Sequence, residues 1–397
     1  MLSKPQFVGE RETVKLSEIA KIKAGNVAPK KDAFTEDGIP FVRAGSLTNL
    51  LAGRSLADLE KIDDGTAHKL RLTLFPAGTV VFAKSGMSCM TGNVYVLPEP
   101  CYVVSHLACV IPNGNYASYL KHYFRFNRPN RLIENPSFPS IKLSKIQGIE
   151  LRLPSPEKGV RQVQALERIE SQIGQAKALL TYLDSLVKSR FVEMFGDICE
   201  GTSHYDMVPI NDLCTCIVGG GTPSMKHPEY YENGTIPWLK SGDVKTHIVE
   251  SGVLNITEVG LANSSARMVP EGSIIVVTRS GILKHSLPIA KTARSIAINQ
   301  DLKALIPGDY ILPDYLQWSL IVASPLLLSK VRATTADNIE TSFLKSFSIT
   351  FQPMFLQRKF VKFVDQVDKS RFISISRYRD ILIKTDTETH ISRDSSN

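Results

Sequence analysis

Residues 235–242 read Thr-Ile-Pro-Trp-Leu-Lys-Ser-Gly, and residues 38–45 read Gly-Ile-Pro-Phe-Val-Arg-Ala-Gly. Both segments place an Ile-Pro step before an aromatic residue, an aliphatic residue and a cation. Further segments of matching chemistry follow in the same order: 14–20 with 208–214, 75–82 with 269–276, 84–86 with 279–281, and 110–112 with 305–307. Matching order at a nearly constant spacing indicates an internal repeat, so the sequence predicts one architecture that has been duplicated.

Each copy predicts an α+β globular unit. The runs at 79–83 and 273–278 are rich in β-branched residues, short and bounded by glycine, which is typical of buried strands. A helix is predicted after each run, over 117–126 and over 313–323. Each copy has the size of an ordinary domain.

A segment of a different kind follows each copy, with apolar residues at alternating spacings of three and four. The stripe in the first segment consists of Leu166, Ile169, Ile173, Ala176, Leu180, Leu183, Val187, Arg190 and Met194. The second segment begins near Met354 and has Phe360, Phe363, Val367, Ser370, Ser374, Arg377 and Ile381 at the matching positions. This heptad pattern predicts two long helices, and we expect an antiparallel coiled coil because the chain must return after the second copy. Two amphipathic helices that pack only on their own domains are the alternative.

The overall composition limits the classes of protein to which the chain can belong. The chain has 397 residues, a formal net charge of +8 and a pI near 9.0, which favours a nucleic-acid partner without demonstrating one. No apolar run is long enough for a transmembrane helix, and the N-terminal residues lack the apolar region of a secretory signal. Six cysteines without a CxxC pair indicate a reducing compartment. We therefore expect a cytoplasmic protein that has no membrane partner.

Catalytic motifs are missing from the sequence. The glycines at 219–221 are followed by Lys226 without the Ser or Thr of a phosphate-binding loop. The segment 135–138, Asn-Pro-Ser-Phe, resembles the Asn-Pro-Pro-Phe motif of adenine methyltransferases, but no glycine-rich dinucleotide loop lies upstream. Cys214 and Cys216 have no further ligand at zinc spacing. The sequence therefore indicates a non-catalytic binding protein that holds no metal and no cofactor of its own.

Two similar α+β units, each followed by a long heptad helix, resemble the specificity subunit of type I restriction–modification systems. The strongest likeness is to the start of that family's target-recognition domain, and it lies in Gly-Gly-Thr-Pro-Ser (220–224), Tyr-Tyr (230–231), Gly234, Ile-Pro-Trp (236–238) and Ser-Gly-Asp-Val (241–244). The likeness covers residues 13–383. In the first copy, Lys-Ala-Gly at 23–25 replaces the Gly-Gly-Thr-Pro run, a divergence that suits two domains reading different DNA sequences.

The resemblance implies an α+β fold in which two repeated globular α/β target-recognition domains are separated by two long helices packed as an antiparallel coiled coil. The predicted organisation is a first target-recognition domain at 1–153, a central spacer helix at 154–200, a second target-recognition domain at 201–352, a C-terminal spacer helix at 353–386 and a disordered tail at 387–397. The tail is assigned from its polar composition.

The resemblance also implies a non-catalytic subunit that joins two modification subunits, and further restriction subunits, into one complex. Each domain would read one half of a bipartite site in double-stranded DNA, while the helices set the gap and dock the modification subunits. S-adenosylmethionine, ATP and Mg²⁺ would belong to those partners. One alternative is a related assembly scaffold without sequence-specific DNA contact. Another is a fused restriction–methylation enzyme, which the missing catalytic motifs disfavour.

Cations at matched repeat positions are the candidate DNA contacts, because duplication has kept a positive charge there twice. The pairs are Arg43 with Lys240 and Lys84 with Arg279, with Ser85, Ser241 and Ser280 beside them; Arg125, Arg128 and Arg131 form a second basic group, matched by Lys330 and Arg332. For each residue alone, a solvated surface charge is the ordinary role. Trp238 is expected in the core and not against a base. The residues predicted for helix packing and partner docking are Leu166, Ile169, Ile173, Leu180, Leu183, Val187, Phe360, Phe363 and Val367.

Overall fold

The computed structural model describes residues 13–114, 116–153, 156–203, 205–333 and 337–394, and the side chains of all of these except 156, 157, 332, 333 and 377–394. The chain divides into two compact units, Met1–Gln172 and Ile173–Asn397. The first unit holds the first domain and the beginning of the long central helix. The second unit holds the rest of that helix, the second domain and the C-terminal helix.

The first domain mixes short strands and short helices. Its strands are β1 (Thr13–Lys15), β2 (Ala20–Ala24), β3 (Ile39–Val42), β4 (Lys61–Ile62), β5 (Leu74–Phe75), β6 (Val80–Ala83), β7 (Val94–Val96), β8 (Cys101–Val103), β9 (Leu107–Pro112) and β10 (Glu150–Arg152). Its helices are α1 (Leu16–Ile19), α2 (Ser46–Leu51), α3 (Asp64–Lys69), α4 (Ala117–Phe126) and α5 (Leu143–Gln147). The central helix α6 (Pro156–Phe195) follows.

The second domain repeats this composition. Its strands are β11 (Met207–Pro209), β12 (Cys214–Gly219), β13 (Ile236–Leu239), β14 (Ile248–Val249), β15 (Leu254–Ile256), β16 (Arg267–Val269), β17 (Ile274–Val277), β18 (Ile289–Thr292), β19 (Ile296–Ile298), β20 (Leu302–Pro307), β21 (Arg332–Ala333), β22 (Asp337–Asn338) and β23 (Ser348–Thr350). Its helices are α7 (Ile210–Leu213), α8 (Glu258–Ala262), α9 (Pro313–Val322), α10 (Ser324–Leu328) and α11 (Thr341–Ser346). The C-terminal helix α12 (Met354–Asp394) ends the described chain.

Each domain contains two larger sheets, and the strand order is shared between the domains. In the first unit the orders are β2-β9-β6-β7 and β4-β3-β8-β5; in the second they are β12-β20-β17-β18-β14 and β15-β13-β19-β16. The pair β3–β8 and its counterpart β13–β19 are both parallel, whereas β2–β9 and β12–β20 are both antiparallel. This shared order confirms the duplication and the α+β class.

The strands predicted from the sequence lie at the centre of the two cores. All residues of β6 and of β17 are buried. One helix packs on this sheet in each domain, and α4 begins and ends where the sequence indicated. Its counterpart α9 begins at Pro313, as predicted, and ends one residue before 323. Proline suits the first helical position because its missing N–H has no intrahelical partner there.

In the second unit, α6 and α12 run antiparallel and share one core with the second domain. The ring centroid of Phe360 lies 5.3 Å from that of Phe191 and 5.7 Å from that of Phe195. Tyr315 of α9 contacts the same rings, at 5.6 Å from Phe191 and 5.2 Å from Phe195. The expected antiparallel coiled coil is therefore accompanied, over this part of the helices, by a third helix that belongs to the domain.

The third helix changes which face of α6 is buried. Leu183, Val187, Phe191 and Phe195 are buried in succession, four residues apart, whereas the predicted positions Arg190 and Met194 are only half-buried. Because α9 and α12 cover adjoining faces of α6, a stripe wider than a two-stranded seam is buried, and the phenylalanines occupy it.

The seam on α12 is also displaced from the predicted one. Phe360 and Val367 are buried as expected, but Val364 is buried in place of Phe363, which is half-buried. The predicted spacing after Phe360 is three and then four residues, whereas the buried residues Phe360, Val364 and Val367 are spaced by four and then three. Ser370, another predicted seam position, is exposed.

A polar junction ties three elements of the second unit together. Asp184 of α6 lies 2.6 Å from Nη2 of Arg371 on α12, and 3.0 Å from Nε2 of His247 in the second domain. Burial alone would raise the pKa of Asp184, but the hydrogen bond and charge of His247 and the charge of Arg371 hold that pKa below its ordinary value. The ionised carboxylate therefore fixes the two helices relative to the second domain.

The structure describes α12 as a helix that continues to Asp394, across part of the segment 387–397 for which a disordered tail was predicted. No glycine or proline follows Pro353 in the sequence, so nothing in the backbone chemistry ends the helix early. Residues 395–397 lie outside the described residues. Every helix within the described part of the chain is too short or too polar to cross a lipid bilayer.

Candidate nucleic-acid interface

In the first domain, several strand ends meet on the short connection 104–106, which joins β8 to β9. The first amide of this connection donates to the carbonyl of Val42 at the end of β3, at 2.9 Å. Its second amide donates to the carbonyl of Asn26, at 2.6 Å, and its third carbonyl accepts from the amide of Lys84, at 2.9 Å. The loops after β2, β3 and β6 are therefore held at one end of the domain.

The second domain repeats this arrangement on the connection 299–301, which joins β19 to β20. The first amide of the connection donates to the carbonyl of Leu239 at the end of β13, at 3.0 Å. Its last carbonyl accepts from the amide of Arg279, at 3.2 Å. Gly221 donates to the carbonyl of Ile298, just before the connection, at 3.2 Å. The same three loops are thus brought together twice.

A further segment closes the group in each domain. In the first, the amide of Ile141 donates to the carbonyl of Lys84 at 2.7 Å. In the second, the amide of Ser280 donates to the carbonyl of Asp337 at 3.2 Å. We call these groups the first and second strand-end clusters; they consist of residues 25–27, 43–45, 84–87, 104–106 and 138–141, and of residues 220–222, 240–243, 279–282, 299–301 and 337–339.

The matched cations Arg43 and Lys240 each follow the end of a strand within these clusters. Arg43 is half-buried; its Nε lies 2.6 Å from the Glu60 carboxylate, and its guanidinium lies 5.0 Å from the ring centroid of Phe34. Lys240 is also half-buried, with its amine 5.9 Å from the Trp238 ring. Ser241 follows Lys240 and begins a short 3₁₀ turn. Both cations are positioned by aromatic residues at the rim of the core.

The matched pair Lys84 and Arg279 occupies the centre of each cluster, but its surroundings differ between the domains. Arg279 is exposed, and its Nε and Nη2 lie 2.7 Å and 2.6 Å from one oxygen of Asp301. In the first cluster the residue at the position of Asp301 is His106, whose Nδ1 lies 2.9 Å from the hydroxyl of Ser85. The hydroxyl of Ser280 instead accepts from a backbone amide two residues later, at 3.5 Å.

Sequence reasoning missed Lys303, a cation that lies near Arg279 in the second domain. It lies on β20 opposite Gly219, and a Cβ on that glycine would collide with the lysine amine. Burial lowers the pKa of Lys303, and the nearby charges of Arg279 and Lys345 lower it further. A glycine that faces a lysine across two strands was the available signal, but the register is needed to recognise it.

The structure places Arg125 of α4 against α6, and its contact with DNA stays a prediction. Its guanidinium forms an ion pair with Glu170 of α6, and Lys121 binds the same carboxylate. Burial would raise the pKa of Glu170, but the hydrogen bond from Lys121 and the charges of Arg125 and Lys121 lower it. The hydroxyl of Ser118 donates to Glu167 of α6 at 2.6 Å. Arg125 therefore belongs to the contact between α4 and α6.

The remaining basic candidates are divided. Arg128 is exposed and precedes a turn that packs beside the first strand-end cluster, since the Asn130 amide group donates to the Met90 carbonyl at 3.0 Å. Lys330 is exposed in the second domain. Arg332 begins β21, and its side chain lies outside the described residues.

The glycine-rich stretch at 219–221 is a packing element. A Cβ on Gly220 would meet the carbonyl of Ile298, and one on Gly221 would meet Ser265. Trp238 is 2% exposed, and its indole donates to the carbonyl of Gly221 at 3.2 Å. Trp238 is thus a core residue, as predicted, and the glycines let the backbone pass directly over it.

The predicted helix-packing residues divide into two groups. Leu183, Val187, Phe360 and Val367 are buried in the second unit's core, whereas Leu166, Ile169, Ile173, Leu180 and Phe363 are half-buried. Among the described residues, Val160 is the one apolar residue of α6 that packs against the core of the first domain. No cluster of His, Cys, Asp and Glu suited to a metal ion occurs in the part of the chain that the structure describes.

The family described as type I restriction modification DNA specificity domain matches the chain twice, over residues 9–181 and 202–382. Among curated proteins, the chain is 35% identical over 152 residues to the type I restriction enzyme EcoR124I/EcoR124II specificity subunit of Escherichia coli, a match that covers 38% of each protein. It is 32% identical over 138 residues to the MjaIX specificity subunit of Methanocaldococcus jannaschii, covering 34% of this chain and 31% of that protein. The chain therefore spans less than half the length of either relative in these alignments.

A solved structure resembles the whole chain. It is the type I restriction–modification system S subunit from M. genitalium, with a TM-score of 0.51 and 13% identity. The superposition covers 98% of this chain and 97% of that chain. At this identity the likeness describes the fold.

Proposed function

Because the chain belongs to the type I restriction modification DNA specificity domain family, we propose that it is the DNA sequence-specificity subunit of a type I restriction–modification complex. Each domain reads one half of a bipartite site in double-stranded DNA. The two long helices set the gap between the halves and dock the modification subunits. The observation that carries this proposal is the strand-end cluster, which is built twice and holds a cation at the matched positions Lys84 and Arg279.

The chemistry of the clusters suits duplex DNA. Lysine and arginine neutralise phosphates and fix the protein on the duplex, while a few side chains read base edges in the major groove. In the second cluster, Asp301 holds the planar guanidinium of Arg279 in one orientation, and the hydroxyl of Thr222 donates to the Gln300 side chain at 2.6 Å. Arginine and glutamine in fixed orientations are the groups that pair with guanine and adenine edges.

The helices supply the second part of the proposal. The aromatic contacts of Phe360 and the Asp184–Arg371 ion pair fix α6 and α12 in one register. The α6 helix has 40 residues, which corresponds to a length of about 60 Å. The half-buried residues Leu166, Ile169, Ile173 and Leu180 leave part of the stripe accessible to a partner.

We assign the methylation and cleavage reactions to the partner subunits. Two modification subunits bring S-adenosylmethionine and methylate adenine; restriction subunits bring ATP, Mg²⁺ and cleavage. The chain itself is a non-catalytic subunit that chooses the site. A scaffold without sequence-specific DNA contact is the competing function, and it gives no role to the duplicated clusters.

Domain exchange separates the two functions. The chain is expressed with its modification subunit, and methylated adenines are sequenced genome-wide. Replacing residues 13–153 by the equivalent domain of a relative should change one half of the methylated motif and leave the other half and the gap intact. A scaffold would give methylation without a defined motif, and a motif in which both halves change would contradict separate reading.

A further inference from the structure

The methyltransferase-like segment 135–138 is a turn that exposes a phenylalanine. The side-chain oxygen of Asn135 accepts from the amide of Ser137 at 3.0 Å, and its carbonyl accepts from the amide of Phe138 at 3.2 Å. Both bonds fold the segment into a tight turn. The Phe138 side chain at its end is 81% exposed.

This turn is fixed next to the centre of the first strand-end cluster. The carbonyl of Pro139 accepts from the amide of Gly86 at 3.1 Å, and Ser140 bridges to Ser85. Met87 follows at once and is 73% exposed. Two large apolar side chains are therefore presented to solvent on either side of one backbone hydrogen bond. Apolar side chains that are exposed side by side are candidates for a binding surface, whereas isolated ones are ordinary.

The charges around this pair favour DNA as the occupant. The first cluster contains Arg43 and Lys84 but no aspartate or glutamate. Arg128, Arg131 and Lys142 beside it are exposed. The exposed carboxylate beside the turn, Glu134, forms an ion pair with Lys145, so the named charges of this surface remain net positive, and a basic surface is the electrostatic footprint of a nucleic acid.

The second cluster has a different character. It contains three carboxylates, Asp243, Asp301 and Asp337. Its residue at the position of Met87 is Ile282, which is 42% exposed. Hydrogen-bonding groups thus dominate the second cluster and apolar groups the first.

We propose that Phe138 and Met87 form an apolar tip that contacts the 5-methyl groups of thymine in the first half-site. The methyl group projects into the major groove, and phenylalanine is among the side chains that contact it. A half-site that contains a target adenine also contains the thymine paired with it, so a methyl group is always offered. The inference rests on the proposed function, because it assumes that the first domain reads duplex DNA.

The test uses the complex of the full chain with its modification subunit and a duplex carrying the methylated motif. Thymines in the first half-site are replaced by deoxyuridine, which removes the methyl group and keeps base pairing. The wild-type complex should bind about fourfold less tightly per contacted methyl group lost, the factor expected for exposing one buried methyl-sized group. Phe138→Ala, which leaves Met87 as the remaining apolar side chain of the tip, should reduce the preference for the thymine duplex, and Phe138→Leu should keep it.

Two controls isolate the effect. Deoxyuridine in the second half-site should change the affinity of wild type and Phe138→Ala by the same factor. Tyr310→Ala removes another aromatic side chain, 76% exposed, beyond the opposite end of β20 from the second cluster, and should keep the thymine preference. Equal wild-type affinity for both first-half duplexes would overturn the proposal, as would loss of the modification subunit from Phe138→Ala, which would make the tip a protein contact. Failure of the proposed function looks different, because no sequence motif would then be methylated.

Discussion

Replacing Phe360 by alanine should destabilise the second unit by about 4 kcal/mol, within the range for buried phenylalanine. Phe360 is fully buried and contacts Phe191, Phe195 and Tyr315 edge-on, with centroid distances of 5.3, 5.7 and 6.4 Å. Such ring pairs contribute about 0.5–1.5 kcal/mol each beyond their burial. The contacting rings belong to α6 and α9 and lie in one buried core, so the surroundings should relax only in part and the loss should reach the upper part of the range.

Tryptophan fluorescence provides the assay. Both tryptophans of the chain, Trp238 and Trp318, are buried in the second unit, so their emission follows that unit and not the first. At about 2–4 °C per kcal/mol for a unit of this size, the fluorescence midpoint should fall by roughly 8–16 °C.

The matched control lies on the same helix. Phe355 is 69% exposed, and Phe355→Ala should change the stability by less than about 0.5 kcal/mol, as surface substitutions do. If Phe360→Ala and Phe355→Ala unfold at the same temperature, the shared core of α6, α9 and α12 does not hold the second unit together, and the reasoning is refuted.

Three further outcomes are expected. The logarithm of the DNA affinity should fall roughly linearly with the logarithm of the salt concentration, and Lys84→Gln or Arg279→Gln should each reduce the slope by about 1. Arg152→Gln, which removes an exposed cation on β10, should leave the slope unchanged. Unaltered slopes in the first two variants would exclude a phosphate contact at Lys84 and Arg279. Because the folded-state pKa of Glu170 is lowered, its carboxylate stabilises the α4–α6 contact above the ordinary glutamate pKa of about 4.3, and this contribution is lost as the pH falls through the lowered value. The difference in hydrogen-exchange protection of α4 between wild type and Glu170→Gln, measured at equal pH, should therefore vanish in acid, and a difference that persists there would contradict the ion pair. Inserting one heptad in both α6 and α12 should lengthen each helix by about 10 Å and widen the gap of the methylated motif by about three base pairs. An unchanged gap in an active variant would show that the helices do not set the gap.

The sequence predicted what local chemistry and repetition control. The limits of α4 and the start of α9 follow from helix periodicity and from Pro313, and the buried strands follow from β-branched runs. The matched cations Lys84 and Arg279 could be found because the sequence contains two copies of one fold, and both copies have a cation at the same position. Neither inference needs knowledge of distant contacts.

The structure differs from the sequence-based expectation, or adds to it, where an element distant in the sequence determines the packing. Phe191 and Phe195 are buried in the core, where Arg190 and Met194 were expected, because α9 packs against α6. A heptad pattern in α6 cannot show that α9 packs there. Arg125 forms an ion pair with a helix that begins 31 residues after it, at Pro156. A basic residue in the sequence looks the same whether its partner is a phosphate or a carboxylate.

Under the proposed function, the unequal attachment of the two domains bears on how new DNA specificities arise. The second domain shares one continuous apolar core with α6 and α12, so a recombination event that replaces this domain alone must match every ring and aliphatic side chain at that junction. The first domain meets α6 through Val160 and a group of polar contacts centred on Glu167 and Glu170, among the residues that the structure describes. Polar contacts on a helix surface tolerate substitution better than a packed core does. Gene conversion that delivers a foreign first domain should therefore yield a folded subunit more often, and lineages related to this chain should diversify first in the 5′ half of the gene.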